Sequence, residues 1–266
     1  MLDLNRIICG EGADVMSSFP DGCIDLTVTS PPYDGIRTYN DNVDETWGDD
    51  IWIPIIEQLY RVTADGGVVV WVVGDQVVKG SETGTSFKQA LAFMQAGFRL
   101  HDTMIYEKVG PAYPDTVRYY QLFEYMFVFS KGRPKTINLL KDRKNKWAGS
   151  WGKSTSRKKD GTLVVTKEEK TKYKEFGIRF NIWRMHNGEG FGTKDKFSKS
   201  HPARFPESLA RDHIYSWSNV GDTVLDPFCG SGTTLKMARQ LERNYIGIDL
   251  SAEYCELSER RVLSEK

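Results

Sequence analysis

Val224-Leu-Asp-Pro-Phe-Cys-Gly-Ser-Gly-Thr-Thr234, followed by the amphipathic run Leu235 to Leu241, decides the fold. Thr223 to Leu225 has the apolar character of a buried strand, Gly230 and Gly232 permit a tight turn, and Ser231 or Thr233 is placed to cap the next helix. A strand, a glycine loop and a helix in that order form the usual seat of a cofactor in a doubly wound α/β sheet. The next strand, Asn244 to Ile248, ends in Asp249, about 20 residues beyond the glycines, where a carboxylate accepts both hydroxyl protons of a ribose. The loop is not G-x-G-x-x-G and lacks the Gly-Lys-Ser/Thr of a phosphate cradle. These features predict an adenosine cofactor without a pyrophosphate, which S-adenosyl-L-methionine fits better than NAD or ATP. Taken alone, the same glycines also suit an ordinary βα turn.

A chain of 266 residues holds one large core plus an insertion. Hydrophobic residues at 39% and aromatic residues at 12% exclude a disordered chain. The N-terminus shows no basic-then-apolar signal pattern, and the longest strongly apolar run, Val68 to Val73, is too short to span a bilayer. Cys9, Cys23, Cys229 and Cys255 stand apart without C-x-x-C spacing, so no metal site is expected and a reducing cytoplasm is the natural home. The formal net charge of +0 hides a segregation: Lys131 to Lys174 carries 15 basic and 4 acidic residues, +11 against −11 for the remainder. A basic block in an otherwise acidic chain suggests a polyanion surface, the plain alternative being a solvated lysine-rich loop.

Along the chain, Arg6 to Cys9 and Ile24 to Thr29 read as strands, with a helical turn or two from Ala13 to Ser18 between them. The second strand stops at Ser30-Pro31-Pro32-Tyr33, because neither proline donates to a ladder and each restricts the residue before it. A rigid, extended corner therefore stands where the strand's C-terminal end meets a ligand crevice. Asp34 to Asp50 is polar and turn-rich. Ile51 to Val62 and Thr85 to Gln95 have helical spacing, Val68 to Val73 reads as a fully buried strand, and Phe98 to Tyr106 and Tyr125 to Ser130 as two more, the last reversed. Residues 135–200 mix charges with Trp147, Trp151, Tyr173, Phe176 and Trp183 and read as an inserted recognition segment between core portions 1–134 and 201–266. Glu207 to Trp217 and Ala252 to Ser264 are helices.

Taken in this order, Ser30-Pro-Pro-Tyr33 and then Phe228-Cys-Gly-Ser-Gly232, the chain resembles the DNA amino-methyltransferases, which carry D/S/N-P-P-Y/F/W and F-x-G-x-G motifs. The motif order is similar to the circularly permuted beta class. The resemblance covers nearly the whole chain outside about 135 to 200. It implies a Rossmann-like, mostly parallel, seven-stranded doubly wound sheet with one reversed strand, S-adenosyl-L-methionine as cofactor and double-stranded DNA as partner. A cognate restriction endonuclease and a homodimer are further partners known in such systems.

By resemblance, Ser30 Oγ and the Pro31 carbonyl accept the two N–H bonds of an exocyclic amine, Pro32 directs that carbonyl, and Tyr33 stacks on a base extruded from the duplex. Asp226, Phe228, Gly230, Ser231, Gly232, Thr233, Thr234, Asp249 and, more loosely, Phe205 fall at cofactor positions. Glu11 stands where relatives carry Gly-Asp and reads more readily as a structural carboxylate. Lys141, Arg143, Lys144, Lys146, Arg157, Lys158 and Lys159 are candidates for phosphate contact. Serine at position 30 leans towards cytosine N4 over adenine N6. C5-cytosine chemistry needs a cysteine nucleophile, commonly in a Pro-Cys pair, which is absent; Cys229 reads as a packing residue. An RNA or protein-amide methyltransferase, and a non-catalytic DNA-binding module on the same core, are the competing readings.

Overall fold

Periodicity of two in the strands and of about 3.6 in the helices sets which side chains meet, and the computed structural model, which describes residues 2–32, 48–109, 116–186 and 206–264, shows where they meet. In chain order the elements are β1 (Arg6–Cys9), α1 (Gly12–Ser17), β2 (Ile24–Thr29), α2 (Asp49–Val62) and β3 (Thr63–Val73). The short hairpin of β4 (Val77–Val78) and β5 (Ser81–Glu82) precedes α3 (Thr85–Gln95), β6 (Arg99–Val109) and β7 (Phe123–Ser130). Then come β8 (Arg143–Lys144), β9 (Trp151–Arg157), β10 (Leu163–Lys172), β11 (Phe176–Gly177) and β12 (Ile182–His186). The chain closes with α4 (Glu207–Trp217), β13 (Thr223–Asp226), α5 (Thr233–Gln240), β14 (Asn244–Asp249) and α6 (Ala252–Leu263).

Two compact units result, Leu139–Phe180 and the rest of the chain. The larger unit is built on an eight-stranded sheet of order β1-β14-β13-β2-β3-β7-β6-β12. β7 is antiparallel to both neighbours, β3 and β6, and every other pairing in the sheet is parallel. The sheet thus has the one reversed strand expected, and eight strands where seven were expected. The additional one is β12: Ile182 to His186 runs beside Ile105 to Val109, and the Asn181 side chain donates to the Thr103 carbonyl.

β3 explains the layering. Val68 to Val73 is buried throughout, as a strand covered on both faces must be. Val69, Trp71 and Val73 share one core with Met16 of α1, Trp52, Ile55, Ile56, Leu59 and Val62 of α2, and Ala90 and Phe93 of α3. Leu225, Ile246 and Ile248 join the same face. The intervening residues point the other way: Gly247 lies against Leu235 of α5, and α4, α5 and α6 pack on one another there. No helix among the described residues is long and apolar enough to cross a membrane.

The smaller unit holds the antiparallel pair β9–β10, whose turn contains Asp160 and Gly161, and the pair β8–β11. It lies within the 135–200 segment expected as the recognition insertion, of which residues 187–200 fall outside the described residues. Thr136 is buried in the larger unit, and β12 belongs to the large sheet, because Trp183 stacks on buried His213 of α4 at 4.4 Å.

Candidate functional site

The site follows from topology. β13 passes through α5 to β14 on one side, whereas β2 passes through α2 to β3 on the other, with the two helices on opposite faces. Between β13 and β2 the winding reverses, and at such a switch point a crevice opens beyond the C-terminal ends of the strands. β2 and β13 run parallel in register, Leu26 beside Val224 and Thr27 beside Leu225, so both end at that crevice. One lip is Ser30-Pro31-Pro32, with Pro31 buried and Ser30 and Pro32 partly exposed; the other is Phe228 to Gly232.

A hydrogen bond ties the lips. Thr29 Oγ1 donates to Asp226 Oδ1 at 2.6 Å across 197 positions of sequence, and the Phe228 N–H donates to the same oxygen at 3.2 Å. Thr234 Oγ1, at the start of α5, donates to the Val28 carbonyl at 3.1 Å. Asp226 is only 1% exposed, and burial lifts its carboxyl from the ordinary 3.8 to about 6 despite the Thr29 and Phe228 donors. Asp226 and Thr234, both expected beside the cofactor, are hydrogen-bonded here at the junction of β2 with the glycine loop and α5.

The glycine loop is stitched to β14. Gly230 N–H donates to Asp249 Oδ2 at 2.8 Å, Cys229 N–H to the Ile248 carbonyl at 2.9 Å, and Ser251 N–H to Asp249 Oδ1 at 3.0 Å. A carboxylate offers about four lone pairs, so these two donors leave acceptor capacity for a diol at the strand end. Burial raises the Asp249 carboxyl above its usual range, and the two backbone donors oppose the rise. Phe228 is partly buried, its ring edge-on to Trp71 at 6.0 Å.

Helix capping departs from expectation. Neither Ser231 nor Thr233 caps α5; its N-cap is Gly232 at φ +76°, without a side-chain cap. A Cβ there would lie 2.2 Å from Ser258 Oγ of α6, so both conformation and space require glycine. The Ser231 and Thr233 hydroxyls instead receive Arg261 of α6, at 3.0 and 2.9 Å.

Arg261 was missed by sequence reasoning. The signal was periodicity, since the buried residues of α6 are Cys255, Ser258, Arg261 and Val262, which puts a cation on the inward stripe. Glu11 caps α1 by accepting Asp14 N–H at 2.8 Å, the structural role anticipated. Cys229 is buried and its thiol is pushed well above its ordinary range by desolvation, the opposite of an activated nucleophile. Tyr33 and Phe205 lie outside the described residues.

In the smaller unit, Lys158 and Lys159 occupy the turn between β9 and β10, and Lys141, Lys144, Lys146 and Arg157 are exposed. Arg143 is engaged internally: Nε donates to the Ile178 carbonyl at 2.9 Å and the guanidinium lies over the Phe180 ring at 4.5 Å. Lys146 sits over Trp147 at 5.4 Å. Among the described residues no cluster of His, Cys, Asp and Glu is arranged to hold a metal ion.

A switch-point crevice with a positive-φ glycine loop, an uncapped helix start and a carboxylate on the next strand fits an adenosine-bearing cofactor, which sets the protein among doubly wound, cofactor-binding α/β folds. A family model described as DNA methylase matches residues 24–260, and the chain belongs to this family. Membership makes it an S-adenosyl-L-methionine-dependent DNA methyltransferase.

It is 58% identical over 247 residues to the orphan methyltransferase M.BamHII of Bacillus amyloliquefaciens, covering 91% of this chain and 89% of that one. It is 25% identical over 300 residues to the type II methyltransferase M.SmaI of Serratia marcescens, covering 98% and 91%. Among solved structures, the PvuII DNA methyltransferase (cytosine-N4-specific) shares the fold with a TM-score of 0.71 at 19% identity, covering 99% of this chain and 88% of that one. The putative DNA modification methylase TTHA0409 of Thermus thermophilus, complexed with S-adenosyl-L-methionine, does so with a TM-score of 0.63 at 22% identity, covering 98% and 95%.

Proposed function

We propose that the protein is a site-specific DNA methyltransferase that methylates cytosine N4 in a base flipped from the duplex. The observation that carries the proposal is the Thr29–Asp226 hydrogen bond, which locks the Ser30-Pro-Pro corner beside the glycine loop. The cofactor supplies an electrophilic methyl group, and the residues of the chain arrange the rest.

An exocyclic amine is a poor nucleophile because its lone pair is delocalised into the ring. Ser30 Oγ and the Pro31 carbonyl accept its two N–H bonds, which favours a tetrahedral nitrogen in the transition state more than in the ground state. Pro32 holds that carbonyl in direction, and Tyr33 stacks on the extruded base, offsetting part of an unstacking cost of a few kcal/mol. No strong base is required, since the methylated ammonium is acidic. Asp249 holds the ribose of the donor, Gly230 and Gly232 let the backbone approach it, and Phe205 and Phe228 border it. Ser231 and Thr233 act through loop shape.

Lys141, Lys144, Lys146, Arg157, Lys158 and Lys159 contact phosphates, which gives affinity and salt dependence without sequence choice. Arg143 contributes to that surface through its Phe180 platform. Motif order supports the permuted arrangement, because the glycine-loop strand β13 follows β2 in the chain and pairs beside it.

Cytosine is favoured over adenine N6 by Ser30 and by the cytosine-N4 specificity in the name of the PvuII neighbour. Buried Cys229, with its raised thiol pKa, argues against C5 chemistry. The type II names among the relatives support pairing with a restriction endonuclease, whereas the 58% identical relative is called an orphan. Nucleoside mass spectrometry after incubation of duplex DNA with labelled S-adenosyl-L-methionine tests the reading. It predicts labelled N4-methylcytosine; label on adenine N6 replaces the base assignment, and label on neither amine removes the proposal.

A further inference from the structure

The geometry points to Arg261 as a positioning residue of the donor subsite, fixing the glycine loop from the C-terminal helix. Arg261 is 1% exposed. Its Nη1 donates to the Ser231 carbonyl at 2.9 Å, to Ser231 Oγ at 3.0 Å and to Thr233 Oγ1 at 2.9 Å. Its Nη2 donates to Glu207 Oε1 at 2.8 Å, and Lys236 Nζ, itself almost fully buried, donates to the same oxygen at 3.0 Å. One guanidinium therefore joins α6, the first turn of α4 and the loop that opens α5.

Burying a guanidinium is costly unless its donors find partners, and here its partners include three acceptors on the two loop residues flanking Gly232. The planar fork matters. Nη2 at one edge meets Glu207 while Nη1, rigidly coplanar with it, meets the Ser231 peptide, so the plane directs both contacts. That peptide leads into Gly232 at φ +76°, the uncapped start of α5, so its orientation determines where the first-turn N–H groups of α5 point. A lysine at 261 keeps the charge opposite Glu207 but cannot span both edges. Loss of the fork frees the loop without removing any group that touches the donor.

The inference rests on the methyl-transfer reading above and deepens it. The test measures S-adenosyl-L-methionine binding by calorimetry without DNA, together with steady-state kinetics in both substrates. In Arg261→Lys the donor Kd and KM rise about tenfold, as for one lost charge-assisted hydrogen bond, while kcat at saturating donor and the KM for DNA stay within about twofold of wild type. Arg261→Ala shows the same defect more strongly, and millimolar guanidinium partly restores donor binding. The control Arg260→Ala, a neighbour paired with Glu256 at the surface, behaves as wild type.

A purely structural Arg261 would instead lower the melting temperature and the active fraction with donor Kd unchanged, and that result overturns the assignment. Should the Arg261 variants fail to fold, Thr233→Val removes one loop acceptor with Arg261 in place; a severalfold rise in donor KM supports the assignment and an unchanged KM overturns it. If the wild-type protein binds no S-adenosyl-L-methionine, the functional reading itself fails, and the inference with it.

Discussion

Replacing Asp226 by asparagine tests the junction between the two lips through its pH dependence. The carboxyl is almost wholly buried, and its pKa lies at about 6 against an ordinary 3.8, chiefly through desolvation. A carboxyl raised in the folded state binds its proton more tightly there than in the unfolded chain. The cost of holding it ionised is therefore absent below about pH 4, grows as pH rises through 4 to 6, and is complete above 6. At about 1.36 kcal/mol per unit, the full shift corresponds to ~3 kcal/mol, of which ~2 kcal/mol develops between pH 4.5 and 8.

The Asp226→Asn variant retains an oxygen for the Thr29 hydroxyl and the Phe228 N–H but has no charge to bury. Urea unfolding followed by tryptophan fluorescence gives the stability difference between variant and wild type at each pH. A constant offset reports how well the new amide N–H group is paired. On top of it, the difference should move in the variant's favour by about 2 kcal/mol from pH 4.5 to 8. A flat difference would mean that water reaches the carboxyl, and hence that the two lips are not closed over it.

Gly232→Ala forces a side chain into φ +76° and against Ser258 Oγ; scanning fluorimetry should show a loss of about 1–3 kcal/mol, and Ser258→Gly should recover only the steric part. An unchanged melting temperature would contradict the loop geometry. Ser30→Ala should lower kcat by about 10²-fold with donor affinity intact in calorimetry, and an undiminished kcat would take Ser30 out of the chemistry. Lys158→Glu with Lys159→Glu should weaken duplex binding and reduce the slope of log K against log salt by about 2, since each phosphate contact contributes about 0.9; an unaltered slope would clear the β9–β10 turn of DNA contact.

The larger unit was legible where burial leaves a sequence signature. Val68 to Val73 reads as a doubly covered strand because nothing in it is polar, and Glu207 to Trp217 was located because Pro206 marks its start and its apolar residues keep helical spacing. β12 was missed because only Trp183 of its five residues is fully buried, with Ile182, Arg184 and His186 exposed, so no continuous apolar run announces it. The β9–β10 pair was hidden for the same reason: its described side chains are almost all exposed, and Leu163 to Lys172 is dominated by charges.

At the candidate site, Gly232 and Asp249 were singled out by residue type and spacing, and they stand at the start of α5 and under the Gly230 N–H respectively. What residue type could not reveal was the division of labour beneath the loop. The tie between Thr29 and Asp226 depends on β2–β13 register, and the Arg261 contacts depend on how α6 is rotated; neither is encoded locally.

Single-molecule sequencing of DNA from cells expressing the wild-type protein, beside cells expressing Ser30→Ala, puts the central claim to its most direct trial. The account predicts N4-methylated cytosine at one recurring sequence in the first sample and its loss in the second. Unmodified DNA from the wild-type cells, or modification that persists in the variant, would contradict it.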